Sequence, residues 1–89
     1  MQEVTLTIHN KVGLHARPAA LFVQTANRYK SNIVVIKDEQ MANAKSILSV
    51  LALGVEQGAV VSIKAEGEDE VEAIEALKEL VESNFGEEN

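Results

Sequence analysis

The sequence predicts an α+β fold, one antiparallel sheet covered by helices on one face. Three observations carry this. Val4, Leu6 and Ile8 alternate with Thr5, Thr7 and His9, the period of a half-buried strand. Ile33-Val34-Val35-Ile36 is a continuous β-branched run, suited to a central strand. Ala19, Phe22, Val23 and Ala26 recur at helical spacing, as do Val71, Ile74, Leu77 and Val81. In order the elements read β-α-β-β-α-β-α, which one antiparallel sheet with helices on one side satisfies.

The first strand spans Glu3 to His9, with His9 facing solvent. Asn10 to Leu14 is a loop, and Gly13 permits a backbone conformation closed to residues with a Cβ. The first helix begins at Ala16 or Arg17 and runs to Tyr29. Pro18 marks its first turn, where no intrahelical N–H bond is lost. Its outer face carries Arg17, Ala20, Gln24 and Asn27, small and uncharged after the first, which suits a docking surface beside His15. Asn32 to Lys37 is the second strand, Asp38-Glu39-Gln40 a tight turn, and about Gln40 to Ala44 the third strand.

Ser46 is a natural N-cap for a second helix that ends at Gly54. That helix is short and almost wholly apolar. Only some of Ile47, Leu48, Val50, Leu51 and Leu53 can face a core, and the others form an exposed patch of the kind that marks an interaction site. Val55 to Ala59 turns into a fourth strand carrying Val60, Val61, Ile63 and Ala65. Asp69, with Glu72 three residues on, reads as a capping box for the last helix. Val71, Ile74, Leu77 and Val81 are its buried stripe, and Glu75, Glu79 and Glu82 its solvated face. From about Ser83 the chain should fray. The pattern leaves the strand order open, a ferredoxin-like order being one solution. Thr5, Thr7, Ser62 and Lys64 predict a polar, wet second face for the sheet.

Eighty-nine residues suit a single domain, residues 1–89, with one core. Aromatics are 3% against 46% hydrophobic residues, so that core is aliphatic. There is no cysteine, hence no disulfide or thiolate metal site, and His9 and His15 lack the spacing and carboxylate company of a metal centre. No apolar run approaches the roughly 20 residues of a membrane span, and no signal segment opens the chain, so the expectation is a soluble, cytoplasmic protein. The net charge of −6 and the lack of a basic stripe argue against direct nucleic-acid binding. Much of the acidity follows Glu66, whereas the surroundings of Lys11, Arg17 and Arg28 are neutral or positive and suit acidic partners.

His15 lies just ahead of a helix start, where free N–H groups and the positive end of the helix dipole hold an anion, phosphate above all. Neutral imidazole is a nucleophile near pH 7, and once phosphorylated on nitrogen it is a good leaving group. The dipole disfavours the imidazolium and favours the anionic phosphorylated product. Arg17 adds a fixed charge and a planar fork of donors.

The run Gly13-Leu14-His15-Ala16-Arg17-Pro18-Ala19 resembles the active-site signature of HPr, the histidine phosphocarrier family of the bacterial phosphoenolpyruvate:sugar phosphotransferase system. Asn43-Ala44-Lys45-Ser46-Ile47-Leu48 with Leu53-Gly54-Val55, and Ala65-Glu66-Gly67-Glu68-Asp69-Glu70, resemble its two later blocks. The resemblance covers essentially the whole chain. It departs from the family's frequent Asn-Gly at the 38–40 turn, and from its frequent Gly where this chain has Ser49.

The resemblance implies a βαββαβα open-faced sandwich with strand order 1-4-2-3 and three helices on one face. It implies that His15 accepts a phosphoryl group, on Nδ1, from phosphorylated enzyme I and donates it to IIA domains of sugar permeases. Arg17 would stabilise the group and Pro18 would shape the site. Ala16, Ala20, Gln24, Asn27, Ile47, Leu48 and Leu51 would form the partner-binding surface. Ser46 would be a regulatory phosphorylation site, served by a serine kinase/phosphorylase and read by a catabolite control regulator. No cofactor or metal is implied, the protein is a monomeric carrier rather than an enzyme with its own turnover, and no partner is a nucleic acid or a membrane. Two alternatives stay within reach of the same residues: a regulatory module acting mainly through phosphorylated Ser46 as corepressor, and a nitrogen-related HPr paralogue. The third reading is a small interaction domain whose histidine is incidental.

Overall fold

The computed structural model describes residues 1–86. β1 spans Gln2–Thr7, α1 Ala16–Ala26, β2 Asn32–Lys37, β3 Gln40–Asn43, α2 Ile47–Ala52, β4 Val60–Glu66 and α3 Glu70–Glu82, followed by a 3₁₀ turn at Asn84–Gly86. The four strands pair antiparallel in the order β1-β4-β2-β3. With its three helices on one face the chain is the βαββαβα open-faced sandwich. No helix among the described residues is long and apolar enough to cross a membrane.

Register decides which residues meet the helices. Val35 lies opposite both Ile63 and Ala42, Leu6 opposite Val61, and Ile33 opposite Ala65. These side chains pack with Ala19, Phe22 and Ala26 of α1, Val50 of α2 and Leu77 and Val81 of α3 in one cluster. The cluster is aliphatic apart from Phe22 and Phe85.

The opposite face is polar along β1 and β4, where Thr5 Oγ1 and Ser62 Oγ lie 3.2 Å apart. It is not polar throughout. Ile36 pairs with Met41, which is 65% exposed, and Val60, opposite Thr7, is also exposed. The unbroken apolar run of β2 therefore reflects two different environments, with Ile33 and Val35 buried under the helices and Val34 and Ile36 half-buried on the open side.

Several element ends differ from expectation, each for a local reason. β1 stops at Thr7 because Ile8 leaves the regular ladder: its N–H bonds the Ala59 carbonyl, and its own carbonyl accepts from Gly58. α1 ends at Ala26, not Tyr29. The N–H groups of Arg28 and Tyr29 fall back to Thr25 and Ala26, and Asn27 Nδ2 takes the Val23 carbonyl. The hairpin loop is only Asp38-Glu39, with Lys37 opposite Gln40, so Gln40 belongs to β3. Asp38 takes φ 56°, a conformation that aspartate tolerates better than most residues.

In α3 the buried face is Ala73, Ile74, Leu77 and Val81, while Val71 is 50% exposed, off the edge of the stripe. Beyond α3 the chain does not fray at once. Phe85, at φ 57°, turns back and is only 2% exposed, closing the end of the core. The rest of the expected frayed segment, 87–89, lies outside the described residues.

Asp69 corrects the capping-box reading. It stands at the N-cap of α3, but its side chain makes no capping bond. Its carboxylate instead accepts from Lys30 N (2.8 Å), Ser31 N (2.9 Å) and Ser31 Oγ (2.5 Å), tying the α1–β2 turn to the start of α3. Such close approach needs Gly67 beside it, since a Cβ there would lie 2.6 Å from Ser31 Oγ. The reach-back role falls to Glu70 rather than Glu72: Glu70 accepts from Gly67 N (3.1 Å) and pairs with the Met1 amine (2.9 Å).

The hydroxyl of Ser31, and then the Lys30 amide, hold the Asp69 carboxyl below the usual carboxylate range. A depressed folded-state pKa contributes stability that is complete above the ordinary value of about 3.9 and is lost as pH falls through the folded value. Asp69→Ala is therefore expected to lower Tm at pH 7, with the gap to wild type narrowing below about pH 4. Thermal melts at several pH values check this; a gap independent of pH would contradict it.

Candidate active site

His15 is the N-cap residue of α1, extended at φ −118° and ψ 159°, and its side chain makes no capping bond. The imidazole is exposed, while Leu14 before it and Pro18 after it are buried. The first helical bond is Ala19 N to the His15 carbonyl, at 3.4 Å. Pro18 has no N–H, so the N–H groups left without an intrahelical partner at this end are those of His15, Ala16 and Arg17. Ala16 has φ 41°, in the left-handed region that a residue with a Cβ occupies at a cost, so strain is stored next to the histidine.

The loop that delivers His15 is built against residues 54–58. Gly13, at φ 62°, lies so close to that segment that a Cβ would overlap the Val55 carbonyl oxygen. Leu14 N donates to the same carbonyl at 2.9 Å, and Gln57 Nε2 donates to the His9 carbonyl at 3.0 Å. Asn10 is fully buried and donates from Nδ2 to the Gly13 carbonyl at 2.9 Å. Neither Asn10 nor the 54–58 brace stood out in the sequence. An Asn three residues before a Gly was the available signal.

Charge is segregated around this site. Between Glu3 and Asp38 the chain has no acidic residue but carries Lys11, Arg17, Arg28, Lys30 and Lys37. Most of the acids come later in the chain, from Glu66 on, with Glu70 and Glu72 in the first turn of α3. Arg17 is exposed, and among the described residues it joins no ion pair. Lys11 and Arg17 thus flank His15 along the chain with no acid between them, in a molecule of net charge −6. Among the described residues, no three acids or histidines gather to hold a metal ion.

α1 and α2 pack against one another. Val50 and Leu53 of the second helical segment turn into the core, which leaves Ile47, Leu48 and Leu51 exposed, Leu48 at 78%. On α1, Ala16, Gln24 and Asn27 are exposed and Ala20 is half-buried. Val12, in the loop before His15, adds an exposed apolar side chain that the sequence did not single out. Asn27 also ties the two helices together. Its Nδ2 donates to the Lys45 carbonyl at 3.2 Å, and Lys45 Nζ donates to the Tyr29 carbonyl at 2.6 Å. These bonds lock the end of α1 to the lead-in of α2. Ser46 is the N-cap of α2, its Oγ accepting from Ser49 N at 3.3 Å. Lys37 Nζ closes the other end of α2 on the carbonyls of Leu53 and Gly54.

The family model described as "PTS HPr component phosphorylation site" matches residues 2–83. The chain belongs to the HPr family. It is 45% identical over 87 residues to the phosphocarrier protein HPr of Xylella fastidiosa (strain Temecula1), covering 98% of each chain. It is also 46% identical over 82 residues to the HPr-like protein Crh of Halalkalibacterium halodurans, covering 92% of this chain and 98% of that one. The crystal structure of HPr from Thermoanaerobacter tengcongensis superposes with a TM-score of 0.99 at 62% identity over 100% of both chains. Strand order and helix placement are those of an HPr fold.

As an HPr-family chain with its N-cap hydroxyl bonded, this protein should lose about 1 kcal/mol in Ser46→Ala. Tm should fall by roughly 4–8 °C. Ser46→Asp, which keeps an acceptor and adds a negative charge at the helix start, should retain wild-type stability. Thermal unfolding of the two variants checks both, and an unchanged Tm in Ser46→Ala would show the cap to be idle.

Proposed function

We propose that this protein is a phosphocarrier of the phosphoenolpyruvate-dependent sugar phosphotransferase system, with His15 as its phosphoryl acceptor and donor. The observation that carries this reading is an exposed imidazole at a helix N-cap, with the Ala16 and Arg17 N–H groups unused beside it. The unprotonated ring nitrogen, Nδ1 by family resemblance, attacks the phosphorus carried by enzyme I. A P–N bond forms as the donor's bond to phosphorus breaks, and the donor keeps the electron pair. The reverse step hands the group to a IIA domain of a sugar permease.

The Arg17 guanidinium and the free N–H groups stabilise the negative oxygens, and Pro18 shapes the entrance. Acceptance leaves His15 phosphorylated and donation restores it, one group per chain, so the protein is a stoichiometric carrier without turnover of its own. It works in the cytoplasm, where both partners meet it. Ala16, Ala20, Gln24, Asn27, Ile47, Leu48 and Leu51 form the docking face, with the cationic rim steering acidic partners onto it. Ser46 is the regulatory site, addressed by a serine kinase and read by a catabolite control regulator.

A second reading is favoured by the similarity to Crh: a regulatory module that acts chiefly through phosphorylated Ser46. The presence of His15 favours the carrier. The two readings separate by which residue labels. With phosphoenolpyruvate and enzyme I, intact-mass measurement should show one acid-labile phosphoryl group, absent from His15→Ala; labelling that survives the substitution would remove His15 from the role. With ATP and the kinase, the label should be acid-stable and absent from Ser46→Ala. Labelling by ATP alone would make the regulatory reading the leading one. Leu48→Glu should raise KM for transfer from enzyme I about tenfold, as expected for a central docking contact, while leaving Tm unchanged.

A further inference from the structure

The Gly13–Leu14 peptide unit immediately precedes His15 and is held from both ends. Its N–H, at Leu14, donates to the Val55 carbonyl at 2.9 Å. Its carbonyl, at Gly13, accepts from Asn10 Nδ2 at 2.9 Å. The Gly13 N–H in turn bonds the Asn10 carbonyl at 3.2 Å, closing a ring of residues 10–13. One of the two bonds that orient the peptide is therefore supplied by a side chain, and that side chain is fully buried.

We propose that Asn10 is a positioning residue for phosphoryl transfer: its amide holds the Gly13–Leu14 peptide in the orientation that keeps His15 and the N–H groups of Ala16 and Arg17 aimed at one phosphoryl group. The proposal rests on the carrier reading above. Two features make the control necessary. Gly13 has no Cβ to restrict rotation about its backbone, so the peptide plane that follows it turns easily unless both ends are bonded. Ala16 sits at φ 41° and keeps that value only while its surroundings over-determine it. With the Asn10 donor gone, the peptide plane swings, Ala16 relaxes, and the free N–H groups no longer point where the histidine delivers phosphorus. Asparagine suits this position because aspartate at neutral pH has no proton to give the Gly13 carbonyl, and glutamine adds a methylene to an enclosed site.

The test is steady-state phosphorylation of Asn10→Ala and Asn10→Asp by enzyme I and phosphoenolpyruvate, well below each variant's Tm. Asn10 is buried and has no exposed surface to offer a partner, so KM should stay within about twofold. The turnover rate should fall by about tenfold or more, the scale on which misplaced reacting groups cost rate. A rate that falls only with the folded fraction, or a raised KM at unchanged kcat, would overturn the proposal.

A second measurement needs no variant to fold. In the wild-type protein, the Asn10 side-chain amide protons should exchange slowly with solvent before and after His15 is phosphorylated, with a resonance shift between the two forms. Rapid exchange in either form would overturn the proposal. A wild-type protein that takes up no phosphate would instead refute the carrier reading.

Discussion

The contact between Gly13 and the Val55 carbonyl governs how this domain presents its histidine. A Cβ at position 13 would overlap that oxygen, so no side chain can stand there. Glycine lets the 10–14 loop lie flat on the 54–58 segment, so that Leu14 can bury its side chain and bond the same carbonyl. Everything after it follows. With Leu14 held in the core, His15 is the first residue forced out to solvent, at the point where α1 begins. The histidine is thus placed by the loop behind it rather than by contacts of its own ring. That arrangement leaves the imidazole free for chemistry while its backbone is held.

The two helices of the proposed docking face are joined by side chains that satisfy backbone carbonyls. Asn27 and Lys45 exchange bonds across the gap between α1 and α2, each using a side chain to satisfy a carbonyl of the other's segment. Lys37 closes the far end of α2. A helix of six residues has little stability of its own, and here its ends are held from outside. Its exposed leucines can then remain available to a partner, since Val50 and Leu53 are enough to anchor it. At the start of α3, Asp69 and Glu70 turn their carboxylates to the α1–β2 turn and the N-terminus.

Much of the fold was legible because the signals were local. Alternation in residues 4–8, the β-branched run at 33–36, the cap at Ser46 and the helical spacing from Ala19 to Ala26 each reflect forces between near neighbours. The differences fall where a distant group intervened. Asp69 is followed three residues later by Glu72, as in a capping box, but Ser31 and Lys30 offered its carboxylate three donors and took it. Val71 fits the spacing of the α3 stripe, yet it is half exposed and the buried face begins at Ala73. Phe85 follows a polar, terminal stretch and is nonetheless buried, because the turn at Asn84–Gly86 folds it back into the core cluster.

The sequence by itself determined the element order, the aliphatic core and the His15-Ala16-Arg17-Pro18 entrance, because each depends on side-chain type and spacing along the chain. Only the tertiary structure decided the partners that hold that entrance in place. Asn10 is an ordinary loop residue until the fold buries it with its amide on the Gly13 carbonyl, and Val55 is an ordinary apolar residue until its carbonyl receives Leu14. Likewise, which apolar residues of α2 face outward was decided by where the sheet lies, not by the helix, whose sequence is apolar on nearly every side. Long-range hydrogen bonds join atoms whose separation along the chain carries no pattern, so their consequences become visible only once the chain has folded.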